Sequence, residues 1–286
     1  MKSIHLIGSS IILISSLLLP GCSEGFQPEE LITAHNRSAW NSYDIIHFDM
    51  VLSSNGETRL EASFWLDPVL SRARMQTTEG SIVVFDGSDF YSAGPELKRA
   101  RFHVLTWPYF LAVPYKLDDP GSMQESIEPT LMDGKKYPGI RLTFESGVGD
   151  TPDDWYIVYQ DPSSRRLHGL AYIVTYGKDI QKAEADPHAI VYRDYREFSG
   201  IPIATHWTFH SWNDPDSLKA NTDTPESRTD KNPPVIPTER LMEAHLSNIA
   251  FYSNGKASTR NEAALPVPLD ELFVAPANAR IEARPE

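Results

Sequence analysis

Apolar and polar residues alternate with a period of two through much of this chain. Leu60, Ala62, Phe64 and Leu66 interleave with Arg59, Glu61 and Ser63, the pattern of a strand with one face buried. Runs of this kind predict strands over 45–52, 58–66, 72–77, 82–85, 90–92, 139–145, 155–160, 166–176, 189–198, 203–212 and 244–252. Asn55-Gly56 and Asp86-Gly87 stand between two such pairs of runs, where a tight hairpin turn demands residues that tolerate positive φ. The short connections at 161–164 and 199–200 likewise join antiparallel neighbours. Ten or eleven strands with few helices predict a mainly β fold, a large curved antiparallel sheet.

Three stretches depart from this pattern. Pro28-Glu29-Glu30 has helix-start chemistry, proline in the first turn and carboxylates near the positive end of the dipole. A helix is expected from 29 to about 40, with Leu31, Ala34, His35 and Ser38 on one side. Residues 213–238 are rich in Asn, Asp, Ser, Thr and Pro, the composition of a long mobile loop. Residues 106–117 are apolar and aromatic but carry Pro108 and Pro114. Such a segment is not expected to form a long helix and poorly suits a central strand.

Alternation also nominates an inward surface. Leu60 and Phe64 share one strand face, Trp155, Ile157 and Tyr159 a second, and Trp207 and Phe209 a third. A curved single-layer sheet needs a cover for its concave side, either a helix or a ligand. The 106–117 segment would supply that cover through Trp107, Phe110 and Leu111. These residues are the candidate lining of an apolar ligand site. The same residues would equally make a filled core, and a one-residue slip in register turns each set to the other face.

The amino terminus adds a location. After Lys2, residues 4–19 are almost wholly Ile, Leu, Ser and Gly. That is a signal-sequence length, short of the roughly 20 apolar residues that span a membrane. Leu19-Pro20-Gly21-Cys22 resembles the lipobox of bacterial lipoproteins. The resemblance implies a signal peptide over 1–21, an acylated Cys22 as membrane anchor and a short tether over 22–28. It also implies, from Ser23 after the cysteine, an outer-membrane protein facing the periplasm. Cys22 is the only cysteine, so no intrachain disulfide forms.

Charge and motifs then narrow the chemistry. The formal net charge is −13 with no Lys/Arg cluster, which disfavours nucleic acid as a partner. G-x-S-x-G, H-E-x-x-H and phosphate-binding glycine loops are all missing from the sequence. His206 and His210 fall on one strand face, yet four residues of extended chain separate them by roughly 13 Å. They cannot share a metal ion, and a metal role would need ligands from neighbouring strands. Asp118-Asp119 and Asp153-Asp154 sit at turn-like positions, where adjacent side chains point apart. No catalytic residue, metal or cofactor is therefore expected. The alternatives to a non-enzymatic binder of a lipid or apolar ligand are a structural or interaction protein of the cell envelope with a filled core and, less favoured, a hydrolase with an unrecognised site.

The order of local motifs carries one further resemblance. Leu31-Ile32-Thr33-Ala34-His35, Trp40, Ile82-Val83-Val84-Phe85-Asp86-Gly87, Asp154-Trp155-Tyr156-Ile157-Val158-Tyr159-Gln160-Asp161-Pro162 and Gly200-Ile201-Pro202-Ile203 follow one another across residues 29–275. The series resembles an uncharacterised family of bacterial lipoproteins with the Lol-type carrier and receptor fold. That resemblance implies an incomplete antiparallel β-barrel over 29–286, covered by short helices around an apolar cavity that takes a lipid or another apolar ligand. The chain departs from the Lol proteins in its greater length, its polar insertion at 213–238 and its lack of a recognisable receptor-type membrane-inserting loop.

Overall fold

The computed structural model describes residues 25–132, 134–212, 240–258 and 264–283. The expected signal peptide, Cys22 and the polar loop at 213–238 lie outside the described residues. Among the described residues, fourteen strands form one antiparallel sheet. They are β1 (Ile45–Ser54), β2 (Glu57–Leu66), β3 (Ala73–Thr77), β4 (Ile82–Phe85), β5 (Phe90–Ala93), β6 (Ser122–Met132), β7 (Lys135–Phe144), β8 (Tyr156–Gln160), β9 (Leu167–Tyr172), β10 (His188–Phe198), β11 (Ile201–Ser211), β12 (Arg240–Ser253), β13 (Lys256–Ala257) and β14 (Arg280–Ile281). The helices are α1 (Pro28–Ala34), α2 (Arg37–Trp40), α3 (Ala100–Ala112) and α4 (Ile180–Glu184).

The sheet runs β14-β5-β4-β3-β2-β1-β12-β11-β10-β9-β8-β7-β6, with β13 paired to β12, and it does not close. Turn chemistry sets the registers. Asn55 and Gly56 both have positive φ, 54° and 77°, which lets a two-residue turn join Ser54 to Glu57 with the twist the strands require. Asp86 caps the longer β4–β5 turn, its Oδ1 accepting from the backbone N–H of Ser88 and Asp89 at 2.9 Å each.

Edge strand β6 was not legible as a strand. Most of its first eight residues are exposed, it contains Pro129, and its register with β7 shifts between Ile127 and Thr130. Proline, a bulge and a polar face are how proteins blunt a sheet edge, and they erase the alternation that reveals inner strands.

The first helix also differs from expectation. It breaks at Asn36, which adopts the left-handed conformation with φ 53° and caps α2 by accepting from Ala39 N–H at 3.3 Å. Asn36 also donates from Nδ2 to the Gly200 carbonyl at 2.9 Å, tying the break to the β10–β11 turn.

The largest correction concerns the segment around residues 106–117, most of which is helical within α3. Pro108 lies inside α3, and Pro114 falls in a short 3-10 turn over Val113–Tyr115. An interior proline costs about 3 kcal/mol. Val104, Trp107, Phe110 and Leu111 are buried, and at about 1.5–3 kcal/mol each they outweigh that cost.

Helix α3 packs on β2, β3 and β4 within the main core, where Phe48 and Phe64 stack at 4.8 Å and Trp107 meets Phe209 at 6.0 Å. The outer face of the sheet is covered in two further places. Leu272 and Phe273 lie against Ile45, Trp65 and Val84, while Ala183 of α4 joins Trp155, Ile157, Tyr159 and Trp212.

Candidate functional site

Helix α3 has two differently employed faces. Val104, Trp107, Pro108 and Leu111 are buried, as their spacing on one side of a helix predicts. Phe102, Leu105, Thr106 and Tyr109 recur at the same three- and four-residue intervals and line a cavity of about 570 Å³. Phe110 belongs to both surfaces.

The opposite walls come from distant parts of the sheet: Phe85 and Phe90 on β4 and β5, and Phe144, Tyr156 and Tyr172 on β7, β8 and β9. Six strands separate β4 from β9 in the sheet order, so the sheet must curl around α3 for both to border one space. Aromatic contacts knit the β7–β9 wall to the helix. Tyr109 and Tyr156 lie 5.1 Å apart, Phe110 and Tyr172 4.9 Å, and Phe144 and Tyr156 5.9 Å.

Charged groups also border the cavity, among them Arg101, Lys116, Asp119, Asp150 and Asp154. Arg101 donates from Nε to both oxygens of Asp150 at 3.1 Å, and its guanidinium lies 4.0 Å over the Phe90 ring. It thereby straps the β7–β8 connection to β5. Asp154 is buried and accepts from Thr151 Oγ1, Thr175 N–H and Thr175 Oγ1, each at 2.7 Å. Burial pushes its carboxyl above the usual range, against these hydrogen bonds. The Tyr109 hydroxyl is buried and has no hydrogen-bond partner among the described residues. Burial holds it far above the ordinary tyrosine range, so it remains a neutral donor. An unsatisfied buried hydroxyl costs about 1–3 kcal/mol, and this one belongs to a residue that lines the cavity.

The residues nominated from sequence fall into three groups. Phe110 lines the cavity. Leu60, Phe64, Trp107, Leu111, Trp207 and Phe209 are buried in the main core and do not line the cavity. Leu111 and Trp207 also border a void of about 10 Å³ beside His35, room for about one water. Trp155, Ile157 and Tyr159 are on the outer face of the sheet, a correction to the inward placement. Tyr156 and Val158 take the inward side, paired with Tyr172 and Leu170. The reason is physical: every residue of β8 is buried, so polarity gives no sign of which face is inward.

Sequence reasoning missed Phe102, Leu105, Tyr109, Phe144, Tyr156 and Tyr172. The helical spacing of 102, 105, 106 and 109 was available as a signal, but the two prolines argued against a helix there. The adjacent carboxylates Asp118 and Asp119 are engaged by different cations. Arg37 donates to both oxygens of Asp118 at 2.6 and 2.7 Å, holding that carboxyl below its usual range, while Asp119 pairs with Lys116. His210 is buried with Nε2 2.9 Å from Thr208 Oγ1, and His206 stands instead beside His245 of β12.

No protein-family model matches the chain, and no curated sequence does. Solved structures resemble it in fold at low identity. A putative outer membrane lipoprotein-sorting protein domain from Vibrio parahaemolyticus is 8% identical, with a TM-score of 0.47 over 86% of this chain and 97% of that one. A LolA superfamily protein from Nitrosomonas europaea is 8% identical, with a TM-score of 0.46 over 78% and 92%. The Mycobacterium tuberculosis lipoprotein LppX is 10% identical, with a TM-score of 0.24 over 52% and 90%.

Proposed function

We propose that the chain is a membrane-anchored, non-enzymatic lipoprotein that holds a lipid or similar apolar ligand between α3 and the concave face of its sheet. One observation carries this reading: a cavity of about 570 Å³ walled by aromatic and aliphatic side chains from α3, β4–β5 and β7–β9. Ligand sites span roughly 300–1,000 Å³ and combine apolar walls with a few fixed polar groups. Here Tyr109, Asp154 and the Arg101–Asp150 pair are those groups, suited to the polar end of an amphiphile. Native mass spectrometry of gently extracted protein tests the reading. A lipid-sized adduct, lost on denaturation, is expected; apoprotein alone, with no uptake of added fatty acid, would contradict it.

The anchor is a separate proposal, supported by the lipobox-like Leu19–Cys22. An acyl chain contributes about 0.8 kcal/mol per buried methylene, and more than one chain is needed for stable attachment. Cys22→Ser should abolish palmitate labelling and release the protein from the outer membrane. Continued labelling of the variant would disprove acylation at Cys22. Among the described residues no helix is long and apolar enough to cross a membrane.

A further inference from the structure

On the sheet face opposite the cavity, three metal-binding side chains converge. His206 and His245 are directly opposed across the β11–β12 ladder. Opposed residues of antiparallel strands have Cβ atoms about 4.5–5.5 Å apart, and here the two rings stack at 4.4 Å with only 6° between their planes. Glu243 precedes His245 by two residues and so shares its face. One of its oxygens lies 3.3 Å from His206 Nε2 and 3.9 Å from His245 Nε2. The donor atoms of all three lie within 4.8 Å of one another.

A fourth residue stands on the far side of the His206 ring. Asp194 adopts a left-handed φ of 53° and drops out of the β10–β11 pairing between Arg193↔His206 and Tyr195↔Ala204. Its carboxylate stands 3.6 Å from His206 Nδ1. Histidine ligands commonly give their second ring N–H to a carboxylate, which fixes the tautomer and aims the other nitrogen at the metal.

We propose that His206, Glu243 and His245 form a zinc site, with Asp194 as a positioning residue. Two imidazoles and one carboxylate suit zinc and its neighbours better than magnesium or calcium, and three protein ligands leave a position open to water. Arg240 opposes the site, its Nη1 lying 3.3 Å from the same Glu243 oxygen. That side chain is largely exposed, and zinc entry displaces it into solvent. The site is independent of the cavity and does not rest on its occupancy.

Zinc titration of the full chain by calorimetry tests the assignment, with unfolding temperature recorded for each variant. Wild type is expected to take up one zinc per chain. His206→Ala and His245→Ala should each abolish that uptake, and Asp194→Asn should weaken it on the order of 10-fold. Arg240→Gln should bind more tightly, an effect that loose adsorption to scattered histidines would not show. His188→Ala, altering a residue paired with Asp186 elsewhere, should bind as wild type does. The more exposed His245→Gln replaces His206→Ala if the latter lowers the unfolding temperature without zinc. Absence of wild-type binding, or binding undiminished in the His206→Ala/His245→Ala double variant, would overturn the proposal.

Discussion

Both faces of α3 carry large apolar side chains, yet only one is packed tightly by the sheet. Beneath Val104, Trp107 and Leu111 the strands present Phe48, Phe64, Phe209 and Met75, and none of these is more than marginally exposed. Beside Phe102, Leu105 and Tyr109 the aromatic rings of the curled sheet line a space instead of filling it. The contrast arises partly from β8 and β9, whose other face is buried as well. Trp155, Ile157 and Tyr159 spend their bulk on the outer cluster rather than on the cavity. A cavity is thus distinguished from a core here by where large side chains are turned, not by composition.

That contrast predicts unequal responses to mutation, largest on the packed side. Phe64 is fully buried and stacked on Phe48, so Phe64→Ala should cost about 3–5 kcal/mol. Urea denaturation would read this as a lower midpoint at unchanged slope, and a loss below about 1 kcal/mol would mean that this half is not tightly packed.

The packed side should also be the more acid-sensitive. His35 is buried, its Nε2 accepting from Leu167 N–H at 3.0 Å, and burial lowers its pKa to about 3. The unfolded chain, with a histidine pKa near 6.5, therefore binds the extra proton between these values. Stability is lost as pH falls below about 6.5, by up to roughly 1.4 kcal/mol per pH unit for one proton. His35→Gln should flatten the stability profile between pH 6 and about pH 4; an unaltered slope would assign the acid sensitivity elsewhere. His103, lowered to about 4 by burial, leaves a residual slope.

On the cavity side the effects should be small. Tyr109→Phe removes a buried hydroxyl that has no partner among the described residues, so ligand-free protein should keep its stability or gain about 1 kcal/mol. Affinity for an amphiphile whose polar end meets that hydroxyl should fall. A loss of stability above about 1 kcal/mol would show that the hydroxyl is satisfied in solution.

The same asymmetry explains what the sequence disclosed. Hairpins with one polar face, such as β1–β2 around Asn55-Gly56, were legible because alternation and turn chemistry agreed. The inward face of Leu60 and Phe64 followed from Arg59 and Glu61 on the other side. At β8 no polar residue marks the outside, and parity alone could not orient it. In α3, Pro108 masked a helix whose existence depends on burial against β2–β4, a tertiary effect that local propensity does not register. The cavity residues belong to these two elements and their neighbours, so the site was the least legible part of the fold.

Leu105 offers the most direct test, because it is half-buried, lines the cavity and lies off the packed face of α3. Titration of a fluorescent fatty acid into wild type and Leu105→Trp, with urea midpoints measured in parallel, reads occupancy and stability separately. Saturable uptake by wild type, lost in Leu105→Trp at a stability cost under about 1 kcal/mol, is the expected result; overpacking a filled core would instead cost about 1–3 kcal/mol. Absent uptake by wild type, together with a large destabilisation of Leu105→Trp, would contradict the cavity as a ligand site.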